Sequence, residues 1–303
     1  MKNHAFIMPV HNQPQLLRRI VTILQAPNHY FFIHVNARVR DFESFRNAMN
    51  GLNNVVFVEP RISVYHGRIS QIEASIVLLE NVEKHSVHFD YVHQISGQDY
   101  PLRSNEQFDA FFEQTEDSFM CFMFEEDRDV KAERRAVNSW FPNKSHTFLT
   151  KVYGRLRLPE LLGKIIKREE VENLRSGWDW WTWSDKTYSF VLSYLRNNPG
   201  YLKRFNHTLS PCEKFFTTML LPHVQNLGIR MYYPLRYVSW DPHRPLKTKY
   251  RPYNLTAEDY NYVIQSPCFF CRKVHESESI KLLDMIDLQR GNPFDISQFS
   301  KFC

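Results

Sequence analysis

His4-Ala5-Phe6-Ile7-Met8-Pro9-Val10-His11-Asn12 opens the chain with an unbroken apolar run, Ala5 to Val10, and then turns polar. A short continuous apolar segment ending on a turn signal reads as a strand buried on both faces. Outward from it, Gln15–Leu24 has apolar residues at helical spacing. Tyr30–Val35 is a second, aromatic-rich strand ending at Asn36. Phe42, Phe45 and Met49 stand at i, i+3 and i+7, which predicts a helix over Phe42–Met49. Asn54–Val58 reads as a third strand, Ser70–Val82 as an amphipathic helix and Tyr91–Ile95 as a fourth strand. The order β-α-β-α-β-α-β predicts an α/β protein with a doubly wound, mostly parallel sheet. Such sheets bind ligands outside the carboxyl ends of their strands. Those ends are His11-Asn12, Asn36, Tyr65-His66-Gly67-Arg68 and Ser96-Gly97-Gln98-Asp99.

The 303 residues suffice for one large α/β domain or two tightly joined lobes. With 24 Phe, 15 Tyr and 6 Trp the chain has the makings of a core, and 9 Gly with 16 Pro leave little room for flexible tracts. The formal charge of +5 is not gathered into one stripe, which argues against nucleic acid. It suits a substrate carrying a diphosphate or an anionic membrane surface. No Gly-x-Gly-x-x-Gly or Walker loop occurs, so dinucleotide enzymes and phosphate-loop ATPases are disfavoured. The five cysteines fit reduced thiols better than a disulfide scaffold. Cys268-x-x-Cys271 reads as small residues on a buried strand rather than half a zinc site. The opening apolar run is too short for a signal peptide, and no stretch has the ~20 apolar residues of a membrane span. These features predict a cytoplasmic protein or a trimmed catalytic domain.

Four later segments carry candidate chemistry. Ile95-Ser96-Gly97-Gln98-Asp99-Tyr100-Pro101 leaves a buried strand and sets Asp99 at its exit. Ser210-Pro211-Cys212-Glu213 is a helix-start signal that predicts Glu213 in a first helical turn, where an acid complements the helix dipole or serves a site. Leu235-Arg236-Tyr237-Val238-Ser239-Trp240 is an apolar strand with an arginine inside it. Cys268-Phe269-Phe270-Cys271-Arg272-Lys273 is an apolar strand ending in two cations, which can hold phosphate.

In that order the segments resemble the Core-2/I-branching glycosyltransferases, a family that includes β-1,6-N-acetylglucosaminyltransferases and peptide xylosyltransferases. The resemblance runs from His4 to about His275. It takes in the opening strand, Ile33-His34-Val35-Asn36 and the Ser-Gly-x-Asp-x-Pro motif at 96–101. It implies a variant of the GT-A fold in a single domain over 1–303, with a nucleotide-binding half at 1–125 and an acceptor-binding, catalytic half at 126–303. It implies an inverting, metal-independent transfer from a UDP-sugar to a glycan hydroxyl, with Glu213 as catalytic base. Arg236 and Lys273, with Arg272 beside them, take the metal's place at the diphosphate. His11, Asn36, Arg68 and Asp99 are the remaining donor-side candidates. Trp180, which matches the family's Gly-Ser-x-Trp tryptophan, and Asp179 are the acceptor-side candidates. No cofactor and no metal are expected. UDP-N-acetylglucosamine and a β-1,6 branch are the first reading of donor and linkage. Asn36 where the family commonly has Asp, His66-Gly67-Arg68 in place of Trp-Gly-Gly, and Ser239 in place of Asp leave the donor sugar open.

Two other readings follow from the residues. Asp127-Arg128-Asp129 is a D-x-D that could hold a divalent metal in a metal-dependent transferase. Trp178, Trp180, Trp181 and Trp183 could hold glycan in a non-catalytic carbohydrate-binding protein, or pack a strand on both sides. The basic, apolar-interleaved stretch 144–168 is either a solvated helical face or a peripheral contact with the inner face of a membrane, as a lipid-linked acceptor would require.

Overall fold

The computed structural model describes residues 1–144, 152–166, 168–233, 235–239 and 252–291. The first hundred residues form β1 (His4–Val10), α1 (Pro14–Leu24), β2 (His29–Val35), α2 (Glu43–Met49), β3 (Val55–Phe57), α3 (Ser70–Lys84) and β4 (Tyr91–Gln94), the order the apolar periodicity predicts. There follow β5 (Tyr100–Pro101), α4 (Asn105–Glu113), β6 (Ser118–Phe122), α5 (Val130–Asn138), α6 (Leu158–Ile165), β7 (Gly177–Ser184), α7 (Asp185–Asn197) and α8 (Pro199–Arg204). The last elements are α9 (Phe215–Leu220), β8 (Ile229–Met231), β9 (Arg236–Val238), α10 (Tyr260–Gln265), β10 (Phe270–Arg272) and α11 (Ile280–Gln289).

Among the described residues the main sheet has seven strands in the order β3-β2-β1-β4-β7-β6-β8. β3, β2, β1 and β4 run parallel, and β7 is antiparallel to both β4 and β6. β1 is buried on both faces because its alternate side chains enter two cores. Phe6, Met8 and Val10 join Leu17, Ile20, Phe45 and Phe108 on one side. Ala5 and Ile7 join Leu79, Val191 and Phe216 on the other. Phe6, Phe31 and Phe32 keep no accessible surface; each such burial stabilises the fold by about 1.5–3 kcal/mol.

Pro9 marks where the sheet opens. In a strand the N–H and C=O of one residue point the same way. The Ile7 carbonyl accepts from the Ile95 amide, so Pro9, two residues on, faces the β4 side. Pairing of β1 with β4 stops at Ile7–Gln94, while pairing with β2 continues to Val10–Val35. A residue without a backbone donor therefore sits where β4 departs and no ladder bond is needed. The order reverses between β1 and β4, so the crevice lies at the switch point of the sheet.

A small sheet, β5-β10-β9, closes over that edge. β10 pairs antiparallel with β5 and parallel with β9. Cys271 is buried on β10 and Cys268 lies just before it; the described cysteines are free thiols. Burial raises the Cys268 thiol to about 11. These observations suit the buried-strand reading of the pair.

Candidate active site

Arg236 pairs with Phe270 and Arg272 with Val238 across β9 and β10, so the two arginines stand diagonally on one face of the small sheet. Both converge on Asp99, which has no accessible surface. Arg272 Nη1 donates to the two Asp99 carboxylate oxygens at 3.1 and 2.9 Å. Arg236 Nε lies 2.6 Å from Oδ1, and Arg236 Nη2 donates to the Gln94 carbonyl at 3.0 Å. The Ser96 amide donates to Asp99 at 2.8 Å and its hydroxyl donates as well. Burial alone would raise the Asp99 carboxyl, but Arg272 and Arg236 hold it below the usual carboxylate range. Two buried cations on one anion leave a surplus positive charge. Among the described residues, Arg236 Nη1 is buried with no hydrogen-bond partner. A buried guanidinium edge without an acceptor is costly and marks where an anion's oxygen fits.

Trp180, on β7, lies under both arginines, its ring centroid 4.0 Å from the Arg272 guanidinium and 5.2 Å from that of Arg236. The ring expected at the acceptor thus supports the cation pair, by an attraction of about 0.5–2 kcal/mol. Trp181 and Trp183 point the other way, fully buried and stacked 3.4 Å apart in the core. Lys273 takes a different position from the arginines. Partial enclosure first, and then the Lys273 charge, lower the His11 imidazole's pKa. At Asp99 the cation beside Arg236 is Arg272, and the Lys273 charge is felt at His11, just past β1.

Glu213 stands on the outer side of this cluster. It ends a 3-10 turn, Pro211–Glu213, rather than opening an α-helix, and α9 starts two residues later. Ser210 enters the turn in the left-handed region at φ 45°. The Ser210 amide donates to the Gly67 carbonyl at 3.1 Å, and Gly67 is itself at φ +66°. Below the turn, Thr217 donates to the Arg175 carbonyl at 2.6 Å. The Glu213 side chain is 54% exposed, with Lys214 Nζ 3.7 Å from its carboxylate. An open carboxylate on a braced turn can reach a ligand's hydroxyl.

Asp179 joins the two parts. Burial and then the Glu213 charge raise its carboxyl to about 7, against opposing contributions from Gln94 and Arg272. Asp179 therefore feels the Glu213 charge on one side and that of Arg272 on the other. Gln94 donates to the Asp179 carbonyl and, at 3.3 Å, to its carboxylate. Gln94 is the residue sequence reasoning missed; its only signal was its place at the end of β4.

The other candidates sit as follows. The Asn36 amide clamps the loop after β3, accepting from the Val64 amide and donating to the Val64 carbonyl, both at 3.0 Å. Arg68 is buried against Phe141, with Nη1 donating to the Gly67 carbonyl at 2.9 Å. Asp127 and Asp129 are exposed, and Asp129 caps α5 by accepting from the Ala132 amide at 2.9 Å. Trp240 lies outside the described residues.

Fold and site together define an α/β protein with a cation-lined crevice at the carboxyl edge of its sheet and a carboxylate at the rim. The chain belongs to the Core-2/I-branching enzyme family, whose model matches residues 4–264. It is 23% identical over 301 residues to xylosyltransferase 1 of Rattus norvegicus, covering 93% of this chain and 35% of that protein. It is 28% identical over 103 residues to a β-1,3-galactosyl-O-glycosyl-glycoprotein β-1,6-N-acetylglucosaminyltransferase 4 of Danio rerio, covering 33% of this chain and 24% of that one. The chain thus spans about a third or less of the length of these curated relatives. Among solved structures, mouse xyloside xylosyltransferase 1 aligns at a TM-score of 0.38 and 12% identity over 79% of this chain and 89% of that one. S. aureus TarS in complex with UDP-GlcNAc aligns at 0.30 and 14% over 46% and 44%. Likeness at that level carries no argument. No described helix is long and apolar enough to cross a membrane.

Proposed function

We propose that this chain is an inverting glycosyltransferase that moves a sugar from a nucleoside diphosphate, UDP first, to a glycan hydroxyl, with Glu213 as base and no metal at the diphosphate. The observation that carries this reading is Asp99 holding Arg236 and Arg272 side by side, with a guanidinium nitrogen unpartnered, within one electrostatic neighbour of Glu213. A sugar hydroxyl becomes a nucleophile when a placed carboxylate takes its proton. It attacks the anomeric carbon opposite the departing nucleotide, the C–O bond to phosphate breaks, and charge grows on the diphosphate. Fixed arginines, already oriented by Asp99, stabilise that charge without reorganising. Lys273 and His11 border the same edge. N-acetylglucosamine, β-1,6-linked, remains the first reading of the sugar; xylose is the alternative that the relatives' names favour.

Glu213→Gln should keep UDP affinity within about twofold and lower transfer by about 10²–10⁴, read by calorimetry and by product formation. A non-catalytic lectin would keep glycan binding and show no UDP affinity at all. The metal-dependent rival is tested by Asp127→Asn with Asp129→Asn. Asparagine still caps α5 but cannot supply two charged ligands. Transfer should survive in the double variant, and a loss beyond about a hundredfold would transfer the diphosphate to a metal site.

A further inference from the structure

At the opposite, amino edge of the sheet lies a second cluster that the transfer reaction does not use. His4 opens β1, His29 opens β2, and Asp109 comes across from α4. His29 Nε2 is 2.8 Å and His4 Nε2 3.6 Å from Asp109 Oδ1, and the three ligand atoms lie within 4.8 Å of one another. Both imidazoles are buried, while the Asp109 side chain keeps 16% of its surface.

The hydrogen bonds of this cluster leave one imidazole nitrogen over among the described residues. His29 Nδ1 lies 2.7 Å from the Leu24 carbonyl, which can only accept. Nδ1 therefore carries a proton, and Nε2 meets the Asp109 carboxylate at 2.8 Å, as an N–H donor in the charged ring or with a lone pair for a cation in the neutral one. His4 Nδ1 lies 3.0 Å from His93 Nε2, and His93 Nδ1 lies 3.1 Å from the Thr182 hydroxyl. His4 Nε2 is left buried and, among the described residues, without a hydrogen-bond partner. Two imidazole nitrogens and one carboxylate oxygen thus face a common point, and in the neutral Nδ1–H tautomers both nitrogens offer lone pairs there. Each imidazole has its other nitrogen engaged by an outer group, the arrangement that orients metal-bound histidines.

We infer that His4 Nε2, His29 Nε2 and Asp109 Oδ1 form a binding site for a divalent first-row transition cation, zinc being the best match to two imidazoles and a carboxylate. Tetrahedral bonds of about 2.0 Å set ligand atoms about 3.3 Å apart, and the observed 2.8 and 3.6 Å bracket that spacing. The exposed side of Asp109 supplies the entry path and the fourth position, for water. A strand of seven residues separates this point from His11, about 20 Å at the usual rise. The ion would pin β1, β2 and α4 together and take no part in the transfer.

The experiment uses the full chain, freed of metal by chelator dialysis and titrated with zinc by calorimetry and with cobalt by visible absorption. One zinc per chain is expected, with a four-coordinate cobalt spectrum and a rise in Tm of about 5 °C at a hundredfold excess over Kd. Glu213→Gln should bind identically. Asp109→Asn, on the surface of α4, and His4→Phe should each weaken zinc at least tenfold, with circular dichroism confirming that Asp109→Asn is folded. Wild-type protein that takes up no stoichiometric zinc or cobalt overturns the site. So does zinc binding that Asp109→Asn leaves unchanged, since the ion would then lie elsewhere.

Discussion

Asp99 and Asp179 are two carboxyls on one crevice, and their surroundings push them in opposite directions. Asp99 is held ionised by Arg272 and Arg236 against its burial. Asp179 has burial and the Glu213 charge acting together, and its carboxyl rises to about 7. The signs for stability follow. The Asp99 contribution is present above the ordinary carboxylate value and is lost as pH falls through its lowered one. For Asp179 the folded protein binds the extra proton, so stability falls as pH climbs from about 4 to about 7. Asp179→Asn removes that titration and leaves an amide able to accept from Gln94. The Tm difference, variant minus wild type, should grow steadily across that window and then level off. A difference that stays flat with pH would mean Asp179 is not the proton-holding group. Because Asp179 neighbours the base, the acid limb of the transfer rate should also move in the variant, a change that a purely structural residue would not cause.

At the level of elements, β7 does the most to assemble the site. It carries Trp180 under the arginine pair, with Asp179 next to it in the chain, and buries Trp181 and Trp183 in the core. Its first residue, Gly177, lies against β6 where the register between the two strands shifts. A Cβ there would overlap the Cys121 carbonyl oxygen and come within 2.6 Å of the Thr217 methyl, on the helix that follows Glu213. Gly177→Ala should therefore cost about 1–3 kcal/mol, measured by urea unfolding, and should lower transfer as well, since Trp180 and α9 move with the strand. An alanine tolerated without change would show that this junction is looser than the packing implies. The same strand shows what could be read beforehand. β1, β2 and β4 were legible because buried parallel strands are continuous apolar runs. Glu213, Arg236 and Asp99 were legible from short motifs in order. The pairing of Arg272 with Asp99 was not, because it joins residues 173 apart in the chain. Nor was the support of that pair by Trp180, since alternation along β7 says which side chains share a face and not what lies over it. Asn36, a donor-side candidate by its place at a strand end, uses its amide to close the neighbouring loop, a role its position did not reveal.

Over the whole molecule the sheet runs across the division expected near residue 125, since β4 pairs with β7, and β6 with both β7 and β8. The two stretches on either side of that division therefore share one framework, and what docks on one is held in register with the other. This bears on the acceptor. In the described part of 152–166, Leu156, Leu161 and Ile165 are exposed among the exposed Arg155, Arg157 and Lys164. That segment is tied to the approach to the Ser210–Glu213 turn. The Trp140 amide donates to the Pro159 carbonyl, and Phe141 to that of His207. Arg168 donates to the carbonyls of Val137 at 2.7 Å and Arg204 at 2.6 Å. An apolar face rimmed by cations suits an anionic bilayer surface, and its attachment beside Ser210–Glu213 would bring a lipid-linked acceptor's hydroxyl toward the base. Sedimentation with anionic vesicles should carry the protein down at low salt, with much less bound to neutral vesicles. Leu161→Ser with Ile165→Ser should reduce vesicle binding about tenfold or more, as the loss of two buried apolar side chains predicts, while leaving UDP affinity unchanged. Equal binding of the double variant and wild type would return this face to the solvent and the acceptor to a soluble glycan.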